Sequence, residues 1–193
     1  MSRTGWTGEL GYEIYTQGDS TDCPRLWDHL MVNGTKHGMI FSDMQSINIR
    51  RIEAGILDSG SDFDSSMTPF EAGLGKFIDM EKSGFIGHTA LQSAGREKRL
   101  YGIICSQETP RRGAGVFEGR TRVGTVTTGA YSPYLDAGIG YVRFEKGAIW
   151  SGRVLLLQGG DGFDRGVGLE CEIIDPPFYD RGKAILKQVT PVS

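Results

Sequence analysis

The sequence is poor in cysteine, histidine and long apolar runs, and each shortage closes off a class of protein. Cys23, Cys105 and Cys171 are odd in number and far apart, with no C-x-x-C pair. This excludes a disulfide scaffold and fits a reduced, cytoplasmic-type protein. His29, His37 and His88 show no metal-ligand spacing with each other or with the cysteines, so no metal site is expected. His29 reads as a solvated or satisfied side chain on a helix. No run approaches the roughly 18 apolar residues of a membrane span, and Met1-Ser2-Arg3 leads at once into a glycine-rich turn, so no leader peptide is expected. A formal net charge of -3 gives no electrostatic case for nucleic acid or a membrane surface. Dinucleotide, P-loop and nucleophile-elbow patterns are all missing. Self-contained catalysis is not visible.

Glycine is the abundant residue, with 29 among 193 positions. So many glycines imply many turns and short strands. Helical spacing is nevertheless clear early in the chain. Pro24 fits a first turn with Asp22 or Cys23 as cap, Leu26, Trp27, Leu30 and Met31 recur at helical intervals, and Asn33-Gly34 ends the run. A second helix is expected from Ser42-Asp43 to Gly55, a third piece after Pro69, and a fourth over His88–Ala94. From about Arg96 the texture changes to short strands, Leu100–Ser106, Arg122–Thr128, Gly138–Phe144, Arg153–Gln158, Leu169–Ile174 and Ala184–Val189. Evenly spaced strands of this kind predict a small sandwich or barrel. The expected organisation is α+β, with residues 1–95 in one piece and residues 96–193 in a β domain. Residues 1–95 carry too few strands to cover their amphipathic helices and read as the second half of a domain.

The densest motif opens the chain. Gly5, Gly8 and Gly11 suit tight turning, and Tyr12-Glu13-Ile14-Tyr15 then reads as a strand. Alternation puts Glu13 and Tyr15 on one face. A carboxylate beside aromatics can grip a flat, amide-bearing ring, accepting two N–H donors while the aromatics cover the ring faces. The competing reading is a solvated glutamate on the polar face of a hairpin. Arg111-Arg112 could hold an anionic group or be solvated loop arginines. Asp161 and Asp164 miss the calcium-loop spacing and read as a polar hairpin tip.

Arg3-Thr4-Gly5-Trp6-Thr7-Gly8-Glu9-Leu10-Gly11-Tyr12-Glu13-Ile14 resembles the R-T-G-[YW]-T-G-E-x-G-[YF]-E-[IL] signature of the glycine cleavage T-protein family of tetrahydrofolate-dependent enzymes. Arg51-Ile52-Glu53-Ala54-Gly55, Thr68-Pro69-Phe70-Glu71-Ala72-Gly73-Leu74 and Phe85-Ile86-Gly87-His88-Thr89-Ala90-Leu91 continue the match. Gly124-Thr125-Val126-Thr127-Thr128-Gly129 and Ser132-Pro133 complete it in the same order. The resemblance implies the C-terminal part of a ferredoxin-like folate-binding domain followed by a small antiparallel barrel or jelly-roll-like domain. Family members are roughly twice as long. The resemblance thus implies that the family's catalytic aspartate lies in an N-terminal half outside this sequence, and that the present chain alone is inactive.

By the family pattern Glu13 holds the pterin ring of tetrahydrofolate and Trp6 lines the same pocket; Tyr15 shares the Glu13 face, and Arg112 is the candidate contact for an anionic group. Pairing of this kind contributes proximity and orientation rather than proton transfer. One stretch departs from the pattern. Glycine-cleaving members read A-R-D-S-L-R-L-E-A-G where this chain reads Ser46-Ile47-Asn48-Ile49-Arg50-Arg51-Ile52-Glu53-Ala54-Gly55, so Ile47 replaces an arginine that contacts folate. With Trp6 and Tyr15, this is more similar to the demethylase branch, typified by dimethylsulfoniopropionate demethylase. Aminomethyl transfer would involve a lipoyl carrier protein, whereas methyl transfer needs only a small one-carbon donor. Two other readings stay open: a non-catalytic folate-binding or regulatory module, and the folate domain of a dimethylglycine or sarcosine dehydrogenase-type protein.

Overall fold

The structure, a computed structural model, describes residues 1–158 and 168–184. Six strands form a closed antiparallel barrel: β1 (Leu100–Cys105), β2 (Gly115–Glu118), β3 (Thr121–Ser132), β4 (Ala137–Phe144), β5 (Val154–Leu157) and β6 (Leu169–Ile174). Around the barrel the order is β1-β4-β3-β2-β5-β6, and β6 pairs back with β1, Ile103 opposite Ile173. Closure leaves no free sheet edge.

Alternation explains how one set of strands builds two cores. Tyr101, Ile103 and Cys105 of β1 join Val142 and Phe144 of β4, Leu155 and Leu157 of β5 and Cys171 and Ile173 of β6 in one cluster. The intervening Leu100, Ile139, Tyr141 and Ile174 enter a second cluster with Ile52 and Phe178. A period of two sends the first set to the barrel interior and the second to the outer face beneath a helix. Inside, Phe144 and Trp150 stack with ring centroids 4.2 Å apart. Each large apolar side chain removed from water this way contributes about 1.5–3 kcal/mol.

Glycine is placed where backbone crosses backbone. A Cβ at Gly129 would lie 1.7 Å from the Pro110 carbonyl oxygen, and one at Gly138 would lie 2.2 Å from that of Glu108. The segment Glu108–Pro110 can therefore press onto the β3–β4 hairpin only because both positions lack side chains.

Before the barrel lie α1 (Cys23–Thr35), α2 (Met44–Glu53) and α3 (His88–Ser93). Asp22 caps α1, its carboxylate accepting from the Arg25 N–H at 3.0 Å. Asp43 caps α2 through the Ser46 N–H at 2.9 Å. Both caps satisfy donors that a helix start leaves orphaned.

Several expectations need correction. Tyr12–Tyr15 is not a strand: Ser2 and Glu13 exchange two backbone hydrogen bonds of 2.9 Å, and pairing stops there. A ladder needs neighbouring strands, and among the described residues none flanks this segment. The helix expected after Pro69 is a series of turns. Thr68 and Glu71 do form a reciprocal capping box at 2.8 and 3.2 Å, but Gly73 at φ +75° turns the chain away. The short strand β2 has almost no periodic signal in its four residues beginning with glycine; its pairing with β3 and β5 defines it. The strand expected over Ala184–Val189, beyond Ala184, and the Asp161–Asp164 tip lie outside the described residues.

Within residues 1–95 the buried side chains are Arg51, Ile52, Glu53, Ala54, Asp62, Phe70 and Ala72. Arg51, Ile52, Glu53 and Ala54 lie at the end of α2, which packs on β3 and β4; Asp62, Phe70 and Ala72 lie in the turns between α2 and β1. Helix α1 has no buried residue, and Trp27, Val32, Ile40 and Phe41 are exposed.

Candidate functional site

The loop from Arg3 to Glu13 lies against the end of α2. Gly8, at φ +72°, approaches so closely that a Cβ there would sit 2.3 Å from the Ala54 Cβ. Only glycine combines this backbone conformation with this contact. The Ser2–Glu13 bridge closes the loop and sets Glu13 beside Thr4 and Tyr15.

Thr4 donates its hydroxyl hydrogen to Oε2 of Glu13, and the Tyr15 hydroxyl donates to the same oxygen at 2.5 Å. The Thr4 bond first, then the Tyr15 bond, holds the Glu13 carboxyl below the usual carboxylate range. Hydrogen bonds donated to the charged form stabilise it. The same bond to Glu13 pushes the Tyr15 phenol up. Among the described residues Oε1 accepts nothing, so an ionised glutamate presents both lone pairs of that oxygen, while Oε2 is filled by Thr4 and Tyr15. That open oxygen can accept N–H donors from a flat ring.

Beside Thr4 opens a cleft of about 500 Å³, lined by Arg3, Thr4, Gly5, Gly8, Glu9, Leu10, Gly11, Ile56 and Lys183. Glu13 adjoins the cleft through Thr4 rather than lining it. A smaller cleft of about 200 Å³ shares Ile56 and Lys183 with it and runs toward Lys76 and Lys98.

Two polar networks fasten α2 beneath this loop. In the first, Arg51 donates to Asp62 Oδ2 at 2.8 Å, to the Asn48 side chain at 2.8 Å and to the Ile56 carbonyl at 3.1 Å. Asp62 also accepts from the Asp58 N–H at 2.8 Å and from the Thr127 hydroxyl at 3.0 Å. Thr127 reaches it because a bulge between Val126 and Thr128 re-aims the strand. In the second, Glu9 Oε1 accepts from both Arg50 and the Tyr179 hydroxyl, Arg50 also donates to Glu53, and Glu53 accepts from Ser132.

Of the residues singled out from sequence, Glu13 and Tyr15 come together. Trp6 is 42% exposed and stands outside their hydrogen-bonded group. Arg112 is exposed in the turn between β1 and β2, and its neighbour Arg111 pairs with Glu108 at 3.5 Å. Ile47 is half-buried on α2, and Asn48 braces Arg51. Glu9, Arg50 and Tyr179 were not anticipated. Glu9 carried a signal as the other carboxylate of the opening motif; Tyr179 carried none, since it meets Glu9 across 170 positions.

A closed six-stranded barrel with an α-helical segment docked on one face matches a known architecture. The crystal structure of glycine cleavage system aminomethyltransferase T from Bartonella henselae superposes with a TM-score of 0.77 at 24% identity, covering 93% of this chain and 49% of that one. The glycine cleavage T-protein N-terminal domain matches residues 1–82, and the glycine cleavage T-protein C-terminal barrel domain matches residues 98–180. The chain belongs to the glycine cleavage T-protein family. Aminomethyltransferase from Halothermothrix orenii is 38% identical over 152 residues, 76% of this chain and 42% of that protein. Aminomethyltransferase from Geobacillus thermodenitrificans is 35% identical over 191 residues, 95% of this chain and 50% of that protein. The chain thus spans about half the length of the curated relatives it matches. Among the described residues, no helix is long and apolar enough to cross a membrane.

Proposed function

We propose that this chain supplies the pterin-gripping half of a tetrahydrofolate-dependent one-carbon transferase, with aminomethyl transfer as the leading reaction. The observation that carries the reading is the Glu13 carboxylate, held ionised by Thr4 and Tyr15 beside a cleft of about 500 Å³. A pterin offers a ring N–H and an adjacent amino group, donors for which the open Oε1 supplies charge-assisted acceptance. Tyr15 and Trp6 supply aromatic surface for the ring faces, and Arg112 is the candidate contact for an anionic group of the folate. These residues bind and orient; the one-carbon unit is passed to the folate by chemistry that the relatives' second half would contribute. Family membership supports the folate, and the relatives named aminomethyltransferase support a one-carbon unit delivered by a lipoyl carrier protein.

The division into residues 1–95 and 96–193 is our reading as well. It is supported by the barrel, whose strands all fall between Leu100 and Ile174, and by α1, α2 and α3, which all precede it. A second reaction, methyl transfer from a small donor, is favoured by one observation: Ile47 offers no cation on α2. The test is titration of the chain with tetrahydrofolate, followed by tryptophan fluorescence, for wild type and Glu13→Ala. Saturable quenching that the substitution abolishes is expected; equal quenching in both proteins would sink the assignment of Glu13. For a full-length counterpart, methylene-tetrahydrofolate as product supports aminomethyl transfer, and methyl-tetrahydrofolate supports the second reaction.

A further inference from the structure

We infer that Arg50 and Tyr179 are positioning residues, a clasp through which the barrel and α2 fix the loop that carries Glu13; the inference rests on the folate reading above. The clasp is built from four separate stretches of chain. Glu9 belongs to the loop, Arg50 and Glu53 to α2, Ser132 to the end of β3, and Tyr179 to the segment after β6. Arg50 divides its fork between Glu9 and Glu53 and donates to the Tyr179 hydroxyl at 2.7 Å. Its guanidinium also lies 5.1 Å from the centre of the Tyr179 ring. The Phe178 N–H bonds the Glu53 carbonyl at 3.0 Å, so the segment after β6 is tied to α2 by backbone as well.

The chemistry is that of a fixed anchor rather than a binding group. Glu53 is fully buried, whereas Glu9 and Arg50 are about one-third exposed (29% and 32%). One planar cation between two carboxylates, with a phenol closing the ring of bonds, leaves Glu9 little freedom to move. Burial first, then the bond to Glu9, pushes the Tyr179 phenol up, so it stays a donor throughout the neutral range. Glu9 is four positions from Glu13 and three from Trp6, with Gly8 between wedged on Ala54. Whatever holds Glu9 therefore sets where Glu13 presents its carboxylate.

The test uses the whole chain with Tyr179→Phe, Glu9→Gln, Arg50→Gln and the Glu9→Gln/Arg50→Gln pair. Two quantities are read well below the melting temperature: hydrogen exchange of the Glu13 amide, which bonds the Ser2 carbonyl, and the Kd and stoichiometry for tetrahydrofolate. Each single variant is expected to speed exchange and raise Kd by about tenfold or more, the scale of a lost charge-assisted hydrogen bond, with stoichiometry unchanged. The pair should cost less than the sum of the two single variants, because both remove the Arg50–Glu9 bond. Tyr179→Phe, which keeps the ring, guards against a general packing defect. Unchanged exchange overturns the clasp, and faster exchange with unchanged Kd overturns the positioning role. Loss of stoichiometry at constant Kd would show a merely structural tie and overturns it too. A wild type that binds no tetrahydrofolate fails the folate reading, and the positioning role with it, while exchange still reports on the clasp itself.

Discussion

Replacing Asp62 with alanine should be the most damaging single change in the segment before the barrel. Asp62 is fully buried and holds three donors: the Arg51 guanidinium at 2.8 Å, the Asp58 N–H at 2.8 Å and the Thr127 hydroxyl at 3.0 Å. Arg51 is itself 4% exposed, so truncation strands a cation in the interior. Removing one partner of a buried pair costs about 3–5 kcal/mol. Part of the loss is softened locally. Arg51 keeps its bonds to Asn48 and the Ile56 carbonyl, and Thr127 keeps the Tyr141 carbonyl at 3.4 Å. Against a typical total of about 5–15 kcal/mol, the variant should stay folded but unfold at much lower denaturant. At about 2–4 °C per kcal/mol, the melting temperature should fall by roughly 6–20 °C. Urea unfolding followed by tryptophan fluorescence and circular dichroism gives the free energy, with an unchanged slope expected. Arg51→Met/Asp62→Leu, which removes both charges, should recover much of the loss, because the cost lies in the stranded charge rather than in the pair. A loss below about 1 kcal/mol in Asp62→Ala, or a double variant as unstable as the single, would refute this reasoning.

The other expectations are simpler to check. Thr4→Ala should raise the Glu13 pKa toward its ordinary value, because the Thr4 bond is the largest cause of its depression. A depressed folded pKa makes the carboxylate's contribution present at neutral pH and lost as pH falls through the folded value. Tetrahydrofolate binding through Glu13 should thus fail at higher pH in Thr4→Ala than in wild type, read by titration at several pH values. Native thiol titration should find Cys23 reactive at once and Cys105 and Cys171 silent until unfolding, since the first is exposed and the others buried. Burial pushes the Cys171 thiol up to about 12, removing the reactive thiolate. Gly129→Ala should destabilise the barrel by several kcal/mol, beyond the roughly 1 kcal/mol usual for single changes, because its Cβ would meet the Pro110 carbonyl oxygen at 1.7 Å; thermal unfolding measures it.

Local chemistry was legible in the sequence where the cause is local. Asp22 and Asp43 announce α1 and α2 because a helix start needs an acceptor within three residues. The short runs of β1, β4, β5 and β6, evenly spaced between turn clusters, announce a barrel or sandwich because short strands need frequent turns. Glu13 and Tyr15 were paired by the same count of two, although the ladder that count normally implies is reduced to one bridge. The family, too, was readable from ordered motifs.

What needed the tertiary structure is whatever depends on partners far along the chain. Closure of the barrel rests on β6 meeting β1, and β2 exists as a strand only through its neighbours. The turns after Pro69 look helical in composition, yet Gly73 ends them. Arg50 and Tyr179 look like ordinary surface side chains in a one-dimensional reading, and close on Glu9 only when the segment after β6 folds back onto α2. The sequence determined α1, α2, α3 and most of the barrel strands, because propensity, capping and turn spacing act over a few residues. The tertiary structure alone decided what holds the opening loop in place, because hydrogen bonds and packing join residues by distance in space and not by position in the chain.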